Sequence, residues 1–290
     1  MALAAQLGDL QSVNTLLLAD ASVNVANSNG VTPLLLAVNN NHKAVVQLLA
    51  NVTDITDADA NTAVALASQI GDVELLEKLV AAKASVDVPN IRGENPLMLA
   101  SRNGHAAAVK VLVNARAAVR ERDFEGFSPL AVAAHSGYTD VMGVLIAAKA
   151  SLNVETPQGQ TPLMLATDAG HVDAVQMLVD AGADLDACEA DGFTALLIAA
   201  STGRSDIVKV LVNAHASLDD RDRSGETALM TAAASGYIDI VNILLGAGAD
   251  ASLRSREDKT ALDVALEDKR EDVALLLRSV DVLSLGVIAE

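Results

Sequence analysis

The sequence predicts an all-α repeat fold, an α-solenoid of stacked helix-turn-helix units. The segment Thr161-Pro162-Leu163-Met164-Leu165-Ala166 recurs along the chain, at Thr32, Asn95 and Ser128 with the proline kept, and at Thr62, Thr194, Thr227 and Thr260 without it. The closing alanine marks one cadence, Ala4, Ala37, Ala67, Ala100, Ala133, Ala166, Ala199, Ala232 and Ala265: seven of its eight intervals are 33 residues and one is 30. Between copies, apolar residues return at helical spacing, as at Val175, Leu178 and Val179. A fixed period of this size marks a linear array of units rather than one closed core.

Composition agrees. Of the 290 residues 51% are apolar but only 2% aromatic, so the apolar content is mainly Ala, Leu and Val, which suits thin, closely packed helices. The longest apolar run, 195–200, is far short of the ~18 residues that suggest a membrane span. The start Met1-Ala2-Leu3-Ala4-Ala5-Gln6 has neither the basic residues nor the apolar stretch of a secretion signal. Cys188 is the single cysteine, which fits a reducing, cytoplasmic setting. A net charge of −18 argues against a nucleic-acid backbone as partner and would attract a basic protein surface, although its plainer role is solubility.

One unit shows the local logic. Gln158, Gly159 and Gln160 form a turn tip. Thr161 follows as a helix N-cap, its hydroxyl placed to accept from a free backbone N–H. Pro162 takes the first helical position, where its missing N–H costs nothing. Leu163, Leu165 and Ala166 form the buried side of a short helix, with Ala166 small where helices approach. Gly170 ends that helix in a left-handed turn. A second helix begins at His171-Val172, with Asp173 in its first turn complementing the macrodipole. Gly182-Ala183-Asp184 closes it, and an extended segment leads to the next tip at Asp191-Gly192.

The same positions hold elsewhere. Inter-helix glycines stand at Gly8, Gly71, Gly104, Gly137, Gly203 and Gly236, and tip glycines at Gly30, Gly93, Gly126 and Gly225. Helices of roughly nine residues are shorter than the ~12–15 at which isolated helices become even marginal, so stability must come from stacking.

These residues resemble the ankyrin-repeat family across essentially the whole chain, read as one domain of nine units: 1–29, 30–59, 60–92, 93–125, 126–158, 159–191, 192–224, 225–257 and 258–290. The resemblance implies L-shaped units of two antiparallel helices with β-hairpin loops, stacked into a curved solenoid with a concave groove that binds other proteins. Several positions depart from the family pattern. Its usual histidine after Thr-Pro-Leu is replaced by Leu35, Ala65, Met98, Ala131, Met164, Leu197, Met230 and Asp263, so apolar packing must replace the Thr–His network. Lys83, Arg116, Lys149 and His215 replace the glycine seen at Gly182 and Gly248, so these loops are expected to be strained or locally different. The 30-residue unit has Asn51-Val52-Thr53-Asp54 in place of its Gly-Ala closure and Ala60 at its tip, predicting an irregular step. The last unit, with Asp258 at its tip and Lys269 between its helices, reads as a polar cap through about Ser279. The apolar tail 280–290 either folds back on that cap or marks a piece of a longer chain.

The sequence offers no enzyme signature: no phosphate-binding glycine loop, nucleophile elbow or His-Glu-x-x-His pair. No cofactor is expected. His42, His105 and His171 share one repeat position, so they fall in different units and not in one zinc sphere, which needs about four converging ligands. The acidic loops Asp54, Asp57, Asp59 and Asp219, Asp220, Asp222 lack the full EF-hand pattern and read as solvated.

All three phenylalanines fall at turn tips: Phe124 two before Gly126, Phe127 just after it, and Phe193 just after Gly192. Clustered exposed apolar groups mark interaction sites, and interface hot spots favour aromatics and Arg. The expected partner-binding patch is Arg102, Phe124, Phe127 and His135, extended by Asp168 and Phe193. The competing expectation is that each phenylalanine merely covers its neighbouring hairpin. The expected function is non-catalytic recognition of a partner protein, as an adaptor, scaffold or subunit of a larger complex. The alternative is the regulatory ankyrin region of a larger channel or enzyme.

Overall fold

The structure, a computed structural model, describes residues 1–27, 31–40, 42–50 and 58–286. The tip glycine Gly30, the replaced closure Asn51 to Asp54, Asp57 and tail residues 287–290 lie outside the described residues. The chain forms two compact units, Met1–Ala133 with Asp140–Ala150, and Ala134–Thr139 with Ser151–Glu290.

In the first unit the helices are α1 (Ala2–Leu7), α2 (Leu10–Leu18), α3 (Pro33–Asn39), α4 (Lys43–Ala50), α5 (Ala58–Ile70), α6 (Val73–Ala81), α7 (Pro96–Arg102) and α8 (Ala106–Asn114). The division falls within α9 (Pro129–Ser136) and α10 (Thr139–Ala147), so that 129–133 and 140–147 belong to this unit and 134–136 and Thr139 to the second. From α1 to α8 each first helix packs on the second of its own pair, and first helices pack in turn, α1 on α3, α3 on α5, α5 on α7; the second helices form another row, α2, α4, α6, α8. The second unit repeats this two-layer plan. Its first helices are α11 (Pro162–Ala169), α13 (Ala195–Ser201), α15 (Ala228–Ser235) and α17 (Ala261–Glu267). Its second helices are α12 (Val172–Asp180), α14 (Ser205–Asn213), α16 (Ile238–Gly246) and α18 (Glu271–Gly286).

Packing follows the cadence. Eight of the nine marker alanines, Ala37 through Ala265, have no exposed surface, because the row of first helices closes on that small side chain. Ala174, Val175 and Leu178 form the buried stripe of α12. Five of the eight positions left without histidine are filled by buried Met98, Ala131, Met164, Leu197 and Met230, so apolar packing replaces a polar network there; at Asp263 the expectation is corrected, since its carboxyl accepts from the Thr260 N–H and hydroxyl. Thr161 caps α11 through its hydroxyl, which accepts from the Met164 N–H at 3.4 Å, and Thr194 and Thr227 do the same for α13 and α15. Asn95 caps α7 more closely, at 2.9 Å, but leaves its buried Nδ2 without an acceptor.

Three expectations are corrected. First, the described residues contain no strand, so the hairpins are turns. One five-residue bond closes each, as from the Asn90 N–H to the Glu94 carbonyl, and single bonds join neighbouring tips, as from the Phe124 N–H to the Arg92 carbonyl at 3.0 Å. That is too few bonds to build a ladder. Second, Thr62 does not open a helix. With neither a tip glycine nor a proline to stop it, α5 begins at Ala58 and runs 13 residues, enclosing Thr62. Third, the tail does not fold back where it is described: α18 continues for 16 residues to Gly286.

The loops without glycine are not remodelled. Lys83, Arg116, Lys149 and His215 adopt φ of 64, 66, 60 and 65°, the same left-handed region as Gly182 and Gly248. Each keeps the closing bonds, as from Ala84 N–H to Leu79 carbonyl and from Ala216 N–H to Leu211 carbonyl, both 3.0 Å. The strain of order 1–2 kcal/mol is therefore borne and not relieved. Replacing Lys83 or His215 by Gly should raise stability by about 0.5–1 kcal/mol each, the relieved strain less the greater freedom of glycine in the unfolded chain. Denaturant unfolding measures this, and a loss of stability in both variants would contradict it.

Candidate functional site

The repeat histidines have a structural task. His42 Nε2 lies 3.0 Å from the carbonyl of Gln6, His105 Nε2 3.0 Å from that of Gln69, and His171 Nε2 3.1 Å from that of His135. A carbonyl can only accept, so Nε2 donates in each case. The ring lies flat over the preceding inter-helix glycine: a Cβ on Gly71 would stand 2.6 Å from His105 Nδ1, and one on Gly137 2.6 Å from His171 Nδ1. In the later pairs Arg204, Tyr237 and Arg270 cover Gly170, Gly203 and Gly236 in the same way, and Arg270 Nε donates to the Ala234 carbonyl at 2.9 Å.

The loop acids are likewise occupied. Asp219 accepts from the Asp250 N–H at 3.0 Å, Asp220 from the Ser217 hydroxyl at 3.0 Å, and Asp222 from the Ser224 and Glu226 N–H groups. They hold loops and tips together. Among the described residues no group of three His, Cys, Asp or Glu is placed to hold a metal ion.

The tips differ in exposure by their offset from the tip glycine. In the first unit Phe124, two residues before Gly126, is 78% exposed although its ring edge rests on Gly93. Phe127, just after Gly126, is half-buried, and its N–H donates to Asp123 Oδ1 at 2.8 Å. Arg102, at the end of α7, has its guanidinium between two buried carboxylates, Glu94 at 2.9 Å and Asp123 at 3.5 Å. Arg102 and Phe124 are therefore brought together through Asp123, the neighbour of Phe124 in sequence. In the second unit His135 and Asp168 are exposed and Phe193 is half-buried. The first unit also presents Ile91, 95% exposed, which the aromatic criterion missed. Its register could have found it, because Ile91 stands two before Gly93 as Phe124 stands two before Gly126.

At the far end of the second unit, Thr260 and Asp263 form a reciprocal capping box on α17. Hydrogen bonds from the Thr260 backbone N–H, then from its hydroxyl, hold the Asp263 carboxyl below its usual range. Lys259 lies 2.8 Å from Glu257 and 2.6 Å from Glu267, which raises its pKa. Glu226 behaves in the opposite way: burial, then the charges of Asp222 and Glu257, push its carboxyl up. The folded state thus favours protonated Glu226. Its contribution is most favourable below the unfolded value of about 4.3 and is lost as pH rises through the raised folded value. Glu226→Gln should therefore raise the unfolding midpoint at pH 7 and change it little at pH 3; an equal shift at both would contradict this.

The family model described as Ankyrin repeats (3 copies) matches residues 1–90, 64–156, 121–187, 144–222, 163–255 and 213–284. Among solved structures the chain resembles the ankyrin repeat domain of Bcl-3, described as a unique member of the IkappaB protein family. The identity is 26% and the TM-score 0.68, over 73% of this chain and 96% of that one. No curated protein sequence matches.

Proposed function

Because the chain belongs to the ankyrin-repeat family, whose fold is a general protein–protein interaction module, we propose that it is a non-catalytic adaptor or scaffold that grips a partner protein by its turn tips and first-helix ends. The observation that carries this reading is the exposure of Ile91 and Phe124 at the same register position of two successive tips joined by a backbone hydrogen bond; Leu3, Leu7, Leu18, Val25 and Leu275 are also exposed, but on helices and loops of the terminal pairs. Arg102 and Phe127 belong to the same surface as supports, the first clasped by carboxylates and the second half-buried. In the second unit the proposal assigns contact to His135, Asp168 and Phe193. Residues 151–203 there hold eight Asp or Glu and no Lys or Arg, which favours a basic surface on the partner at that unit.

The reading takes the nine units as one interaction domain, as the cadence expects. It also takes the exposed single Cys188 with a reducing, cytoplasmic setting. Among the described residues no helix is long and apolar enough to cross a membrane.

Phe124→Ala tests it. Once a partner has been recovered from the native source and purified, the variant should bind it roughly tenfold or more weakly, as an anchor residue would. The unfolding midpoint should stay nearly unchanged, because so little of the ring is buried. Undiminished affinity would remove Phe124 from the interface, and a large loss of stability would assign the ring to packing.

A further inference from the structure

The whole-chain charge misdescribes the strip where the apolar tips of the first unit stand. Between Lys83 and Gly126 there are seven Lys or Arg against five Asp or Glu, a local net of +2 in a chain of −18. Two of those five, Glu94 and Asp123, are buried against Arg102, and Asp87 already accepts from the Ala118 N–H at 2.8 Å. The exposed carboxylates are Asp87, Glu121 and Glu125, against six Lys or Arg other than Arg102.

Arg92 is exposed and follows Ile91 in the chain, and its backbone carbonyl accepts from the Phe124 N–H. An exposed guanidinium thus belongs to the tip that carries Ile91 and is bonded through the backbone to the tip that carries Phe124. Val88, 39% exposed, adds apolar surface at the start of the same loop.

On the reading that these tips bind protein, we infer that the strip Val88, Ile91, Arg92 and Phe124 docks an acidic peptide segment carrying aliphatic or aromatic residues. Apolar side chains of the segment cover Ile91 and Phe124, whose exposed area is otherwise held in water. A carboxylate of the segment meets Arg92, whose planar fork can take both of its oxygens. The acid-only stretch 151–203 repels the same segment, so the charge pattern directs it to the first unit by exclusion as well as by attraction.

The test is selection of twelve-residue peptides from a random library on the full chain, with each selected peptide then titrated against wild type, the Ile91→Ser/Phe124→Ser variant and Arg92→Glu. All the changed positions are exposed, and thermal unfolding checks that the variants remain folded. Peptides that need Ile91 and Phe124 should carry an excess of Asp and Glu beside apolar residues. Arg92→Glu should weaken them about tenfold, and replacing one peptide carboxylate by Lys should restore binding to that variant. If the peptides that depend on Ile91 and Phe124 are basic or uncharged, this inference fails while the tips remain a binding surface. If no selected peptide depends on those two residues, the tip surface itself is wrong.

Discussion

A nine-residue helix does not hold together alone in water, and the rest of this chain answers that constraint. Almost every first helix is seven or eight residues, and every second helix before the last is eight or nine. Burial is therefore arranged between pairs. The marker alanines let first helices approach closely, and the Val/Leu stripes of the second helices close the other layer.

The polar contacts follow the same rule of adjacency. A ring or guanidinium reaches back 36 residues to a carbonyl beside an inter-helix glycine, as His105 and Arg270 do. A side-chain carboxylate or amide accepts from an N–H 31 residues ahead, as Asp87, Asn153, Asp186 and Asp219 do. Tip-to-tip backbone bonds span 32 residues. Each joins one pair to the next, which is the basis for treating such an array as intrinsic terms plus nearest-neighbour terms. The glycines belong to this device. Gly71 and Gly137 have positive φ, and the neighbouring ring occupies the space a Cβ would need.

The cadence, the caps and the left-handed closures were legible in sequence because each depends on residues a few positions apart, repeated many times. Even Lys83 and His215 could be placed in the left-handed region from register alone. The start of α5 was not legible, because it depends on the absence of a stop signal and not on the presence of a start. At the candidate surface the sequence identified Phe124 but grouped it with Phe127, although a three-residue change of offset turns one ring outward and half-buries the other. Ile91 was hidden by a search for aromatics. The clasp on Arg102 was hidden because Asp123 comes from the following tip, 21 residues on. Asp219 reads as solvated for the same reason, since the N–H that it bonds belongs to the next pair, whereas Asp222 bonds the Ser224 and Glu226 N–H groups of its own tip.

Function in such an array is written on what stacking leaves unused. Positions committed to the neighbour are alanine, leucine and glycine, while tips and helix ends are free to vary, so Ile91, Phe124, Arg223 and Arg256 can occupy one register position without disturbing the fold. All of this requires that a helical pair has no stability of its own. Circular dichroism of the excised segment 192–224 tests that most directly. The account predicts a chain without cooperative helix, beside the high helicity of the full protein. A folded, cooperatively melting peptide would contradict it.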